Sequence, residues 1–129
     1  MGTAGIHHVG LAVADLDTTT RFFTDGLGWK LVREVPDYPA KFVTDGTAFL
    51  TLWQTDPGAA PFDRKTRVGM HHLALKVADE RQLNDLFEKV RAYPGVRVEF
   101  APQAMGAGPA RHCMFCEPGG IRMELAWTP

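Results

Sequence analysis

Five histidines are the residues in this chain best suited to chemistry, and four of them come in two pairs. His7–His8 opens the segment GIHHVGLAVADLD, and His71–His72 opens the closely similar GMHHLALKVADE. A neutral imidazole is the commonest side-chain ligand for a transition metal. Two imidazoles and one carboxylate hold a divalent ion and leave positions open for substrate. His8, His72 and Glu124 are the expected ligands, with iron, manganese, nickel or zinc as the ion. His112 is the candidate general acid or base, because a ring near neutrality can both take and return a proton. Arg122 is the candidate cation for an anionic substrate, ahead of Arg111.

The elements that must position these residues are written twice. His8 and His72, Asp15 and Asp79, and Phe23 and Phe87 share an offset of 64 (72 − 8, 79 − 15, 87 − 23). Such internal repetition signals duplicated supersecondary units. In each copy an alternating strand comes first, with Val9, Leu11 and Val13 on one face and His8, Gly10 and Ala12 on the other. A helix follows. In the second copy Leu83, Leu86, Phe87 and Val90 form one apolar stripe, and Asp79 is placed to cap it. In the first copy the helix is expected from Asp17 to Thr24. Three strands complete each copy, near 30–34, 41–44 and 48–54, then near 97–101, 111–116 and 121–127.

This spacing predicts an α+β fold, a single domain over 1–129 made of two tandem βαβββ modules, 5–55 and 69–129, joined by a linker at 56–68. The large aliphatics of each sheet must meet its helix, which leaves the small-residue faces free to enclose a cup. Alternation puts Phe49, Thr51 and Trp53 on that side in module one. Glu124 takes the same side in module two, and Met114 shares its face with His112. Phe49, Thr51, Trp53 and Met114 are therefore the expected lining of a substrate pocket. His7 and His71 fall on the helix side by the same rule and are assigned structural or rim roles.

Composition removes several alternatives. The net charge of -1 offers no general attraction to nucleic acid. The chain contains no serine, which excludes serine nucleophiles. MGAGPAR leads into a strand and does not make a dinucleotide fingerprint. No leader or membrane-length apolar run is evident, so a cytoplasmic protein with no membrane or nucleic-acid partner is expected. Cys113 and Cys116 lie on one strand with side chains on opposite faces and Cα atoms about 10 Å apart, so they are expected as buried free thiols.

HHVGLAVADLD…FFTDGLGWKLV and HHLALKVAD…EPGGIRMEL resemble the paired modules of the vicinal oxygen chelate superfamily, the glyoxalase, bleomycin-resistance and dioxygenase group. The resemblance covers nearly the whole chain. It implies ligands on the first and fourth strands of each module, here His8, Thr51, His72 and Glu124, and a homodimer. Thr51 departs from the carboxylate or amide that the isomerases and epimerases of the family carry, and an alcohol is a poor base. The remaining His-His-Glu set resembles that of the fosfomycin transferases and extradiol dioxygenases. Those would have a tyrosine at Met114, and the transferases a threonine at Gly10. The expectation is a metal-dependent lyase or dioxygenase acting on a small oxygen-bearing molecule. The alternative is a bleomycin-resistance type of binding protein that holds an aromatic or drug-like ligand.

Overall fold

The structure, a computed structural model, describes residues 2–129. It separates into two compact units that meet between Ala59 and Ala60, inside the expected 56–68 linker. The first unit runs β1 (Val9–Val13), α1 (Leu16–Arg21), β2 (Lys30–Val35), β3 (Ala40–Thr44) and β4 (Phe49–Gln54). The second runs β5 (Leu73–Lys76), α2 (Glu80–Ala92), β6 (Arg97–Ala104), β7 (Arg111–Cys116) and β8 (Arg122–Trp127). Each unit is therefore one βαβββ module with an open four-stranded sheet, ordered β1-β4-β3-β2 in the first and β5-β8-β7-β6 in the second. The first and last strands of each module pair in parallel, and the other neighbours are antiparallel.

Alternation determines which face is core. Leu11 and Val13 of β1, Val43 of β3, and Leu50 and Leu52 of β4 are buried. In the second unit Cys113, Phe115, Met123 and Leu125 are fully buried beneath Leu83, Phe87 and Val90 of α2. Burial of each such aliphatic or aromatic side chain contributes on the order of 1.5–3 kcal/mol. Trp127, at the end of β8, is only half-buried. Cys113 and Cys116 are free thiols, the first buried and the second half-buried.

Both helices start on an aspartate. The Asp15 side chain accepts a hydrogen bond from the Thr18 N–H at 2.8 Å, and Asp79 accepts from the Gln82 N–H at 2.7 Å. Each satisfies a backbone donor that has no partner within the helix. The same Thr18 bond holds the Asp15 carboxyl below the usual aspartate value. The first helix departs from its expected limits. Its α-helical part ends at Arg21, and Phe22–Gly26 continue as a wider π-helical turn closed by the Leu27 N–H on the Phe22 carbonyl at 3.0 Å. The extra residue in that turn lets the adjacent Phe22 and Phe23 both bury fully, ring centroids 5.9 Å apart. Gly28 then leaves the turn at φ +75°, a left-handed conformation that costs glycine nothing.

Two stability effects are expected. Asp79→Ala should cost about 1 kcal/mol in urea unfolding, with Asp79→Asn close to wild type. Burial pushes the Cys113 thiol up to about 11, from 9.0 in an unstructured chain. The unfolded state therefore loses this proton first, and stability should fall as pH rises from about 9 to 11. Unfolding measured across that window should show a shallower decline in Cys113→Ala than in wild type.

Candidate metal and substrate site

On the face of the second sheet away from α2, cross-strand register lines up Ala74, Glu124, Met114 and Phe100. Glu124 keeps 8% of its surface exposed and Met114 4%. A carboxylate buried this far must be hydrogen-bonded. Its partner is His112, whose Nδ1 lies 3.0 Å from Glu124 Oε2. The two are diagonal neighbours, since His112 pairs with Ala126 and Glu124 with Met114. Diagonal side chains on one sheet face are within reach when they are long. The carboxylate accepts, so Nδ1 carries a proton, and in the neutral form of the ring the lone pair is on Nε2. The Phe100 ring packs against the imidazole edge-on at 4.9 Å, which fixes its plane. The sequence named both residues but not their pairing. Antiparallel register across the turn before β8 is the signal that gives it.

The histidine pairs are built alike. Nδ1 of His7 lies 2.9 Å from Nδ1 of His8, and Nδ1 of His71 lies 2.8 Å from Nδ1 of His72. Ring centroids are 5.1 Å apart in both. Within each pair one nitrogen donates and the other accepts. Arg122 Nη1 lies 3.3 Å from His71 Nδ1 and Arg64 Nη1 lies 3.4 Å from His71 Nε2, so a donor-only group faces each nitrogen of that ring. Desolvation first, then the Arg122 charge, hold His71 below the ordinary histidine value and keep it neutral.

The helix-side assignment of His7 and His71 is therefore corrected. β1 begins at Val9 and β5 at Leu73, so both pairs precede their strands and strand alternation does not govern them. His7 lines a cavity with His8, and His71 touches Arg122. Arg122 itself is buried and committed. Its Nε and Nη2 both donate to the Glu99 carboxylate, which the pairing draws below the usual glutamate range. Its structural work is to hold His71.

In the first unit a cavity of about 390 Å³ crosses the sheet face. It brings His8, Phe49 and Thr51 together with His7, Val32, Arg33, Phe42 and Leu50. Trp53 lies outside this cavity, with its ring 4.8 Å from Tyr38, and lines a second hollow with Gln54 and Asp56. Gly10 sits under Trp53, and a Cβ there would stand 3.4 Å from the indole nitrogen.

His8 belongs to the first unit and His72 and Glu124 to the second. Among the described residues no three His, Cys, Asp or Glu side chains form a metal-sized cluster. Imidazole nitrogens and carboxylate oxygens are each suitable donors for a divalent ion. The Nε2 atoms of His8 and His72 and the Oε1 atom of Glu124 have no hydrogen-bond partner among the described residues, while their neighbouring atoms are engaged. Metal-binding imidazoles and carboxylates are commonly held this way through their second atom.

Comparison with known proteins agrees with this fold. A 2-epi-5-epi-valiolone epimerase from Actinomyces sp. is 32% identical, over 99% of this chain and 81% of the relative. A glyoxylase/bleomycin resistance protein/dioxygenase domain from Frankia sp. superposes with a TM-score of 0.85 at 29% identity, covering 99% of this chain and all of that one. A mutant of the fosfomycin resistance protein FosX from Listeria monocytogenes, solved with manganese(II) and 1S,2S-dihydroxypropylphosphonic acid, gives 0.78 at 19% identity, covering 98% and 94%. Among the described residues no helix is long and apolar enough to cross a membrane. The family model matches residues 5–125, and the chain belongs to the Glyoxalase/Bleomycin resistance protein/Dioxygenase superfamily.

Proposed function

We propose that this protein is a metal-dependent enzyme that moves a proton at a carbon beside a carbonyl of a small, oxygen-rich substrate, as epimerases and glyoxalase-type lyases do. The observation that carries this reading is the His112–Glu124 hydrogen bond of 3.0 Å. His8, His72 and Glu124 would hold the divalent ion, which when bound would polarise the carbonyl and stabilise the charge that develops on its oxygen. His112 takes the proton on Nε2. Glu124 Oε2, on the opposite ring nitrogen, keeps the imidazole oriented and offsets the positive charge it gains. Return of the proton to the same carbon restores the substrate, and protonation from the other side inverts the centre. Thr51 counted against epimerase chemistry because it is no base. The imidazole in the second module removes that objection. The Actinomyces relative, named as an epimerase, supports the same class of reaction.

A binding-only role is the second reading, favoured by the largely apolar lining of the 390 Å³ cavity. The two are separated by proton NMR in D₂O with manganese-free, zinc-loaded protein and 2-epi-5-epi-valiolone as the first substrate tried. Loss of the C–H signal beside the carbonyl is expected at a rate that falls roughly 10²-fold or more in His112→Ala and Glu124→Gln. Exchange at an undiminished rate in His112→Ala would refute the assignment of the base. Tight binding with no exchange would favour sequestration.

A further inference from the structure

The two modules treat one structural device differently. The β2–β3 pairing slips between Leu31 and Arg33, and the β6–β7 pairing slips between Val98 and Phe100. Each slip inserts one extra residue, Val32 in the first module and Glu99 in the second. Such bulges re-aim side chains beside binding sites. In the second module the extra residue is an acid, and it neutralises Arg122 and also approaches Arg64 at 3.6 Å. In the first module it is apolar, and the residue after it is a cation. Val32 and Arg33 both line the 390 Å³ cavity.

Arg33 is exposed, and its guanidinium carbon stands 5.3 Å from the centre of the Phe42 ring. It makes no ion pair or hydrogen bond among the described residues. A guanidinium laid over an aromatic face is oriented without being neutralised. Val32, Phe42 and Phe49 line the same cavity, as do Thr51 and His8. A volume in this range suits a ligand of one ring and a few substituents.

We propose that this cavity binds a small organic anion, with Arg33 gripping a carboxylate or phosphate through paired N–H donors and Phe42 and Phe49 flanking the apolar body. The inference goes beyond the proton-transfer reading and does not depend on it. As a binding site it stands on the first module alone.

The test is a calorimetric titration of the full-length protein with phenyl phosphate and, separately, with neutral benzyl alcohol. Phenyl phosphate should bind wild type more tightly than benzyl alcohol. Arg33→Ala should weaken it roughly tenfold or more, with part of the loss recovered in Arg33→Lys. Arg81→Ala removes the same charge from an exposed position on α2 and should leave binding unchanged. Glu124→Gln should abolish proton exchange yet retain phenyl phosphate, so failure of the catalytic reading and failure of the anion site give different results. Equal loss in Arg33→Ala and Arg81→Ala, or equal affinity for the neutral alcohol, would overturn the proposal.

Discussion

A carboxylate buried on a sheet face is the constraint around which the second module is organised. Left alone, Glu124 would cost several kcal/mol or take up a proton. His112 meets that demand, Phe100 fixes the imidazole plane, and Met114 covers the carboxylate from the next strand. The neighbouring row shows a parallel solution. Arg122 is buried one alternation away, Glu99 satisfies it from the bulge of β6, and its remaining N–H faces His71. The polar face is thus a set of engaged groups, with His112 Nε2, His72 Nε2 and Glu124 Oε1 left without a hydrogen-bond partner among the described residues. Networks of this kind are stable only when every member is satisfied.

Duplication explains why the same backbone carries two different surfaces. Both modules keep the helix cap, the parallel pairing of first and last strands, the bulge and the histidine pair. They differ in what faces away from the helix. The second module has converted that face into an acid–imidazole array. The first has kept it apolar and aromatic, with one uncompensated cation. The proposed base lies in the second module and the proposed anion site in the first.

Much of this was legible in the chain. Strict alternation gave the strands and their buried faces, because a period of two leaves no choice once one side must meet a helix. The repeat gave the module order, and C-x-x-C on a strand correctly read as two free thiols. The misses have physical causes. His7 and His71 were assigned by alternation, which applies only inside a strand, and both stand before one. The π-helical turn arose from two adjacent phenylalanines that both had to be buried, a tertiary demand invisible to periodicity. The pairing of His112 with Glu124 needed register, not spacing. Arg122 carried a charge that looked available until Glu99, brought in by a bulge, cancelled it.

The proposed proton transfer depends most on the protonation of one ring. Long-range proton–nitrogen NMR on uniformly labelled protein reads directly which His112 nitrogen bears hydrogen in mildly alkaline buffer. The predicted result is a neutral ring protonated on Nδ1, with the free lone pair on Nε2, and loss of that preference in Glu124→Ala. A ring protonated on Nε2 in the wild-type protein would contradict it, since the nitrogen assigned to take the substrate's proton would already hold one.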